Sequence, residues 1–311
     1  SGISNVYTAT TEDGNYTPLA GYPGINSTTF ASSTSPYYIT ANVAIPNNMT
    51  LTIQPGTVVK LAPGVSITFG SSSSLIVGTS ADTVNAAVIT SRDDDMYNGP
   101  AKNSGGTIVS DGTPTAGDWF RILGGTSAVA TINHGIIKYG GSSSSMLSFS
   151  AGTVTINNSI IQHSNSHGLI VGGAATNLAF ADSIISNTLD VGLGITNSAI
   201  ASVQRSTFTA NRRGISVDTP AAEGSITITN NNFYANNNTS GDGTKPISGL
   251  HYADTDTLTA ENNWWGSASG PTTSSPDGDA VTDAAVATGV GGVIDYTPYA
   301  TSAFTILPSN L

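Results

Sequence analysis

The stretches ATINHGIIKYGG (Ala130–Gly141), VTINNSIIQHSN (Val154–Asn165), LAFADSIISNTL (Leu178–Leu189), ASVQRSTFTANR (Ala201–Arg212), ITITNNNFYANN (Ile226–Asn237) and LTAENNWWGSAS (Leu258–Ser269) decide the fold. Aligned on their first residues, they recur at intervals of 24, 24, 23, 25 and 32 residues. A period in the twenties marks a solenoid, in which each unit buries its apolar face only by stacking on its neighbours.

One unit shows what the period builds. Val154 and Ile156 alternate with Thr155 and Asn157, the period-two pattern of a half-buried strand. Asn158-Ser159 make a polar corner, Ile160-Ile161 begin a second strand, Gln162 to Asn165 make another corner, and Gly168 to Val171 form a third strand. The second inward position holds Ile132, Ile156, Phe180, Val203, Ile228 and Ala260 in successive units. The first corner holds His134, Asn158, Asp182, Arg205, Asn230 and Asn262; Asn and Asp tolerate the left-handed backbone of a sharp bend. Asn165, Asn187, Asn211 and Asn236 mark a second corner, and Gly168, Gly192, Gly214 and Gly249 open the third strand. Three short strands per unit leave no room for a helix. The expectation is an all-β chain: a single-stranded parallel β-helix with about 24 residues per coil, right-handed because parallel crossovers take that hand.

The register extends upstream through Leu51 to Ile53, Val58-Val59, Gly64 to Ile67, Leu75 to Val77 and Val88-Ile89. There it breaks at a polar, Gly-rich stretch and resumes at Trp119. The organisation expected is an N-terminal cap over 1–38, the β-helix over 39–266 with a long loop at 91–117, and a C-terminal cap over 267–311. Solenoid ends need caps, because a bare terminal coil is an open strand edge.

Composition excludes several classes. Charged residues make up 9% of the 311 residues and the formal net charge is −11, which disfavours nucleic acid and anionic membrane surfaces as partners. Hydrophobic residues reach 38% and recur regularly, so the chain is ordered rather than disordered. There is no cysteine, and no apolar run approaches the ~18 residues of a membrane span, so no membrane insertion is expected. The chain starts Ser1-Gly2 rather than Met, as a mature or excised form does.

Asn262-Asn263-Trp264-Trp265-Gly266 followed by Gly270-Pro271 resembles the C-terminal signature of secreted and cell-surface right-handed parallel β-helix proteins of the pectate-lyase-like superfamily. Leu51 to Lys60, Thr90 to Asp95, Gly117 to Trp119, Asp277 to Val281 and Asp295 to Tyr299 resemble further segments of that family. The likeness runs over roughly 40–300 and implies an extracellular or cell-surface location. The chain departs from the family in its long loop, where Tyr97 to Asn103 replaces a Gly- and Asp-rich run.

Candidate chemistry is sparse. Asp93, Asp94, Asp95 and Asp111 lie in the long loop with Asn98 and Asn103, an oxygen-rich set of the kind that suits a structural Ca²⁺. Asp277, Asp279 and Asp283 form a second acidic group. Tyr37, Tyr38, Tyr97 and Tyr252 are candidates for exposed contact with a glycan, whereas Trp264-Trp265 align with the core pairs of earlier coils and read as a plug. No two acids share the outward column Lys138, Gln162, Ser186, Thr209, Tyr234, as a glycosidase would need. Arg212, Arg213 and Asp190 on neighbouring coils read as a surface ion pair. The functional expectation is an extracellular, non-catalytic structural or adhesive module or fibre subunit, binding a polysaccharide or other surface polymer and open to end-to-end self-association. A polysaccharide-binding module, lyase or hydrolase is the alternative.

Overall fold

The computed structural model describes residues 17–19, 27–82, 84–103, 106–218, 224–239, 247–254, 256–271, 281–283, 293–306 and 308. Three parallel sheets of eight, nine and nine strands run along the molecule. We call them first, second and third after the order in which each coil visits them. Val154 in the first pairs with Ala130 on one side and Leu178 on the other, and the series continues to Ala201 and Ile226. The repeats found in the sequence are therefore the rungs of a parallel β-helix. The last unit is the exception: Thr257–Thr259 pairs with Val293–Asp295 in a separate two-stranded sheet, while a bridge from Asn232 to Trp264 keeps the second-sheet register.

The inward column Ile132, Ile156, Phe180, Val203, Ile228 and Ala260 is at most 1% exposed. Burying one such aliphatic side chain is worth roughly 1.5–3 kcal/mol, and each rests on its equivalent one rung away, about 4.8 Å off. Towards the C-terminal end the core turns aromatic. Phe180, Phe208, Phe233 and Trp265 form a continuous pile with ring centroids 5.7, 5.4 and 4.7 Å apart. Trp265 is the expected core plug, and Trp264 lies outside against Tyr234.

The corners explain the rest of the repeat. All six first-corner residues, His134, Asn158, Asp182, Arg205, Asn230 and Asn262, have φ between 47° and 59°. The next residue carries a ladder of buried side-chain bonds. Ser159 Oγ accepts the Gly135 N–H, Ser183 Oγ the Ser159 N–H, Ser206 Oγ the Ser183 N–H, Asn231 Oδ1 the Ser206 N–H, and Asn263 Oδ1 the Asn231 N–H. Each coil thus satisfies the corner amide of the coil before it, which no sheet ladder reaches. At the third strand, a Cβ on Gly168, Gly192 or Gly214 would stand 2.5 to 2.7 Å from the carbonyl oxygen of the glycine one coil further on, so that column admits no side chain.

Two expectations are corrected. The second-corner asparagines do not form one column: the left-handed positions are His163, Asn187, Ala210 and Ala235, and Asn211 and Asn236 each follow one residue later. Side-chain direction is the cause. Asn211 and Asn236 point inward and bond the amides of Thr188 and Asn211, whereas Asn165 and Asn187 are exposed. Secondly, the solenoid overruns the expected caps at both ends. Thr28–Phe30 and Tyr37–Ile39 already pair with Thr50–Ile53 and Val58–Leu61, and Val281–Asp283 pairs with the strand Ser248–Ala253. Pairing is satisfied by backbone alone, so terminal coils can drop the repeat in their side chains.

Asn231 bonds the Ser206 amide, the Val203 carbonyl and Asn263. Asn231→Ala leaves these buried groups unpaired and is expected to lose about 2–4 kcal/mol in urea unfolding, while Asn231→Ser, the residue the preceding coils use, loses clearly less.

Candidate functional site

A polar cleft of about 740 Å³ opens on the outer face of the third sheet. Its floor follows from side-chain size. The outward column there reads Ser148, Ile170, Gly194, Ser216, His251, in register from rung to rung. Ser148 on one side of Ile170, and Gly194 with Ser216 between Ile170 and His251, leave a trough between the bulkier residues. A Cβ at Gly194 would meet Ile170 Cδ1, so any larger residue there must push the end of the Ile170 side chain aside. The serines of the turn at 143–145 form one wall, and Thr196 and Asp218 stand on the other side of the column.

The cleft's charged edge comes from three successive coils. Arg213 Nη2 lies 2.9 Å from Asp190 Oδ1, and His167 Nδ1 lies 3.6 Å from Asp190 Oδ2. Arg213 Nη1 also donates to Ser216 Oγ at 3.3 Å. His167 Nδ1 accepts the Val191 N–H at 3.3 Å, which places the proton of the neutral ring on Nε2. Arg213 is 5% and Asp190 9% exposed, so the pair expected at the surface is a buried one. The backbone causes the burial: the Asp190 carbonyl accepts the N–H groups of both Arg212 and Arg213, which draws the two corners together. Removing one partner of such a pair typically costs about 3–5 kcal/mol. Arg213 Nε is buried with no hydrogen-bond partner among the described residues. Together the hydroxyls, imidazoles and guanidinium offer donors and acceptors to a polyhydroxylated ligand.

The long loop departs from the β-helix after the strand Ala87–Ser91 and rejoins it at Arg121–Gly124. Its four candidate metal-binding carboxylates have protein partners. Asp93 accepts from Arg92 Nε at 3.2 Å and from the Asp111 N–H, Asp94 pairs with Lys138, Asp95 accepts from Ser110 Oγ, and Asp111 accepts from Thr113. Among the described residues no three His, Cys, Asp or Glu side chains come together as a metal-binding group. Asp277 and Asp279 lie outside the described residues, as does the side chain of Asp283.

The tyrosines expected to be exposed are mostly not. Tyr37 stacks on Phe30 at 4.4 Å and accepts the Ala31 N–H on its hydroxyl oxygen; Tyr252 points inward beside Val217; Tyr38 is covered as well. Their strands carry them into the interior or beneath the long loop, and only Tyr97 keeps partial exposure. Sequence reasoning missed the cleft itself. The available signal was the run of small outward residues at 148, 194 and 216, which shows once the third strand is read by alternation.

Residues 122–273 match the family model described as right handed beta helix region. With the three stacked parallel sheets, this defines the chain as a right-handed parallel β-helix. No curated protein and no solved structure matches it.

The long loop is also held by Lys60, whose Nζ donates to the Gly99 carbonyl at 2.5 Å. Burial pushes the Lys60 ammonium down to about 8, against the opposing pull of Asp95, Asp94 and Asp93. Because its folded value lies below the ordinary lysine value, the unfolded chain binds more protons between the two, and stability rises with pH there. The expected outcome is that the melting temperature of the natural chain gains on that of Lys60→Met as pH climbs from about 8 to 10.

Proposed function

We propose that this chain is an extracellular, non-catalytic surface module: a rigid rod that holds a stretch of polysaccharide, or a similar hydroxyl-rich polymer, in the third-sheet cleft. The observation that carries this reading is the cleft itself, an open polar trough lined by serines, His167, His251 and Arg213 on an otherwise regular sheet. Adhesion suits a body of stacked strands, since such a rod keeps its shape while a polymer lies along it. The resemblance of residues 262–271 to the closing motif of secreted pectate-lyase-like β-helix proteins supports the location. End-to-end association of coils and a structural Ca²⁺ held by the acidic side chains of the long loop belong to the same proposal.

The second reading, a polysaccharide lyase or hydrolase, is favoured by one observation. His167, Asp190 and Arg213 stand side by side at the cleft, an imidazole, a carboxylate and a guanidinium of the kinds that serve as base and charge neutraliser.

One experiment addresses both. The purified chain is run on a glycan array with Ca²⁺ and with EGTA, and each bound polymer is then assayed for chain shortening. Binding without shortening is expected. Ser148→Trp, which fills the cleft floor, is expected to weaken that binding by at least about tenfold. Retention by Ser148→Trp would contradict the cleft reading, and shortening that disappears in His167→Ala would establish the enzyme instead.

A further inference from the structure

Away from the cleft, beneath the long loop, lies a closed contact that polymer binding does not use. Lys138 Nζ stands 3.4 Å from Asp94 Oδ2, with the two side chains 5% and 0% exposed. Thr90 Oγ1 donates to the same Oδ2 at 2.7 Å, and the Met96 N–H donates to Oδ1 at 3.3 Å. The rings of Tyr97 and Tyr139 flank the ammonium at 5.1 and 4.9 Å, and His163 stacks on Tyr139 at 4.9 Å. An amine and a carboxyl group are thus held together away from water, one on a β-helix rung and one at the root of the loop.

Two full charges in such a place carry a desolvation cost that their attraction returns only in part. Passing the proton from the ammonium to the carboxylate neutralises both and leaves a nucleophilic amine facing a carboxylic acid. We propose that Lys138 and Asp94 condense into an intramolecular isopeptide bond.

The step balances without an outside reagent. The lone pair of neutral Nζ forms a bond to Asp94 Cγ, giving a tetrahedral centre. One N–H proton passes to Oδ2, with the Thr90 hydroxyl, already bonded to that oxygen, placed to relay it. The Cγ–Oδ2 bond breaks and Oδ2 leaves as water, so ammonium plus carboxylate become amide plus water. Nothing is oxidised or reduced, and dry surroundings disfavour the reverse hydrolysis. The bond would tie the root of the loop to a second-sheet rung, giving this cysteine-free chain a covalent staple that restricts the unfolded chain as a disulfide does.

The intact mass of the purified full chain tests this directly. The expected mass is that of the sequence less one water, and the expected tryptic digest joins residues 93–102 to 122–205, because cleavage after Lys138 is blocked. Lys138→Arg and Asp94→Ala are each expected to restore the full mass calculated from their own sequences. A natural chain at its full sequence mass overturns the proposal. So does a water loss that persists in Lys138→Arg, since it would then arise elsewhere in the chain.

Discussion

Every feature of this protein depends on like side chains resting on like, one coil above the next. The backbone hydrogen bonds between coils are generic and would hold any sequence in any register. What fixes register is the inward column from Ile132 to Ile228, together with the corner ladder from Ser159 to Asn263. A shift of one residue would turn every inward residue outward and break each corner bond at once. The ladder adds direction as well, because each corner amide is satisfied by the coil that follows it. Serine serves at 159, 183 and 206, where its hydroxyl also donates to the carbonyl two residues back, and asparagine takes over at Asn231 and Asn263, where its amide reaches carbonyls of its own and the preceding coil.

This regularity is why the fold was legible in the sequence and the site was not. A column repeated in six units shows itself through periodicity alone, and all six left-handed corners fall where His134, Asn158, Asp182, Arg205, Asn230 and Asn262 predicted them. Single positions are different. Tyr37 and Tyr252 looked available because aromatic residues in irregular or late segments carry no period, yet both fill the core. Gly194 and Ser216 looked bland because a trough is made by side chains that are missing. The pairing of Arg213 with Asp190 was visible as proximity between coils. Its burial was not, since that depends on the corner carbonyl of Asp190 gathering two amides.

Polar chemistry is distributed unevenly around the rod. The eight strands of the first sheet contain no charged residue, while the second sheet carries Lys60 and Lys138 beneath the loop and the third carries Arg213 and Asp218 at the cleft. The long loop therefore does more than interrupt the coil. It supplies Asp94 to Lys138 and the Gly99 carbonyl to Lys60, the two buried lysines of the second sheet, and Trp119 at its end sits fully within the core, donating its Nε1–H to the Lys138 carbonyl at 2.7 Å.

The most direct test of the stacked arrangement uses nitroxide spin labels on the outward column of the first sheet, which the absence of cysteine makes clean to prepare. Ile76 and Thr131 are far apart in sequence, with the long loop between them, yet they are partners on adjacent rungs, as are Thr155 and Ala179. The account predicts that labels at 76 and 131 interact as strongly as labels at 155 and 179, both pairs about one strand spacing apart. Weak or absent dipolar broadening for the 76–131 pair, beside strong broadening for the 155–179 pair, would contradict it.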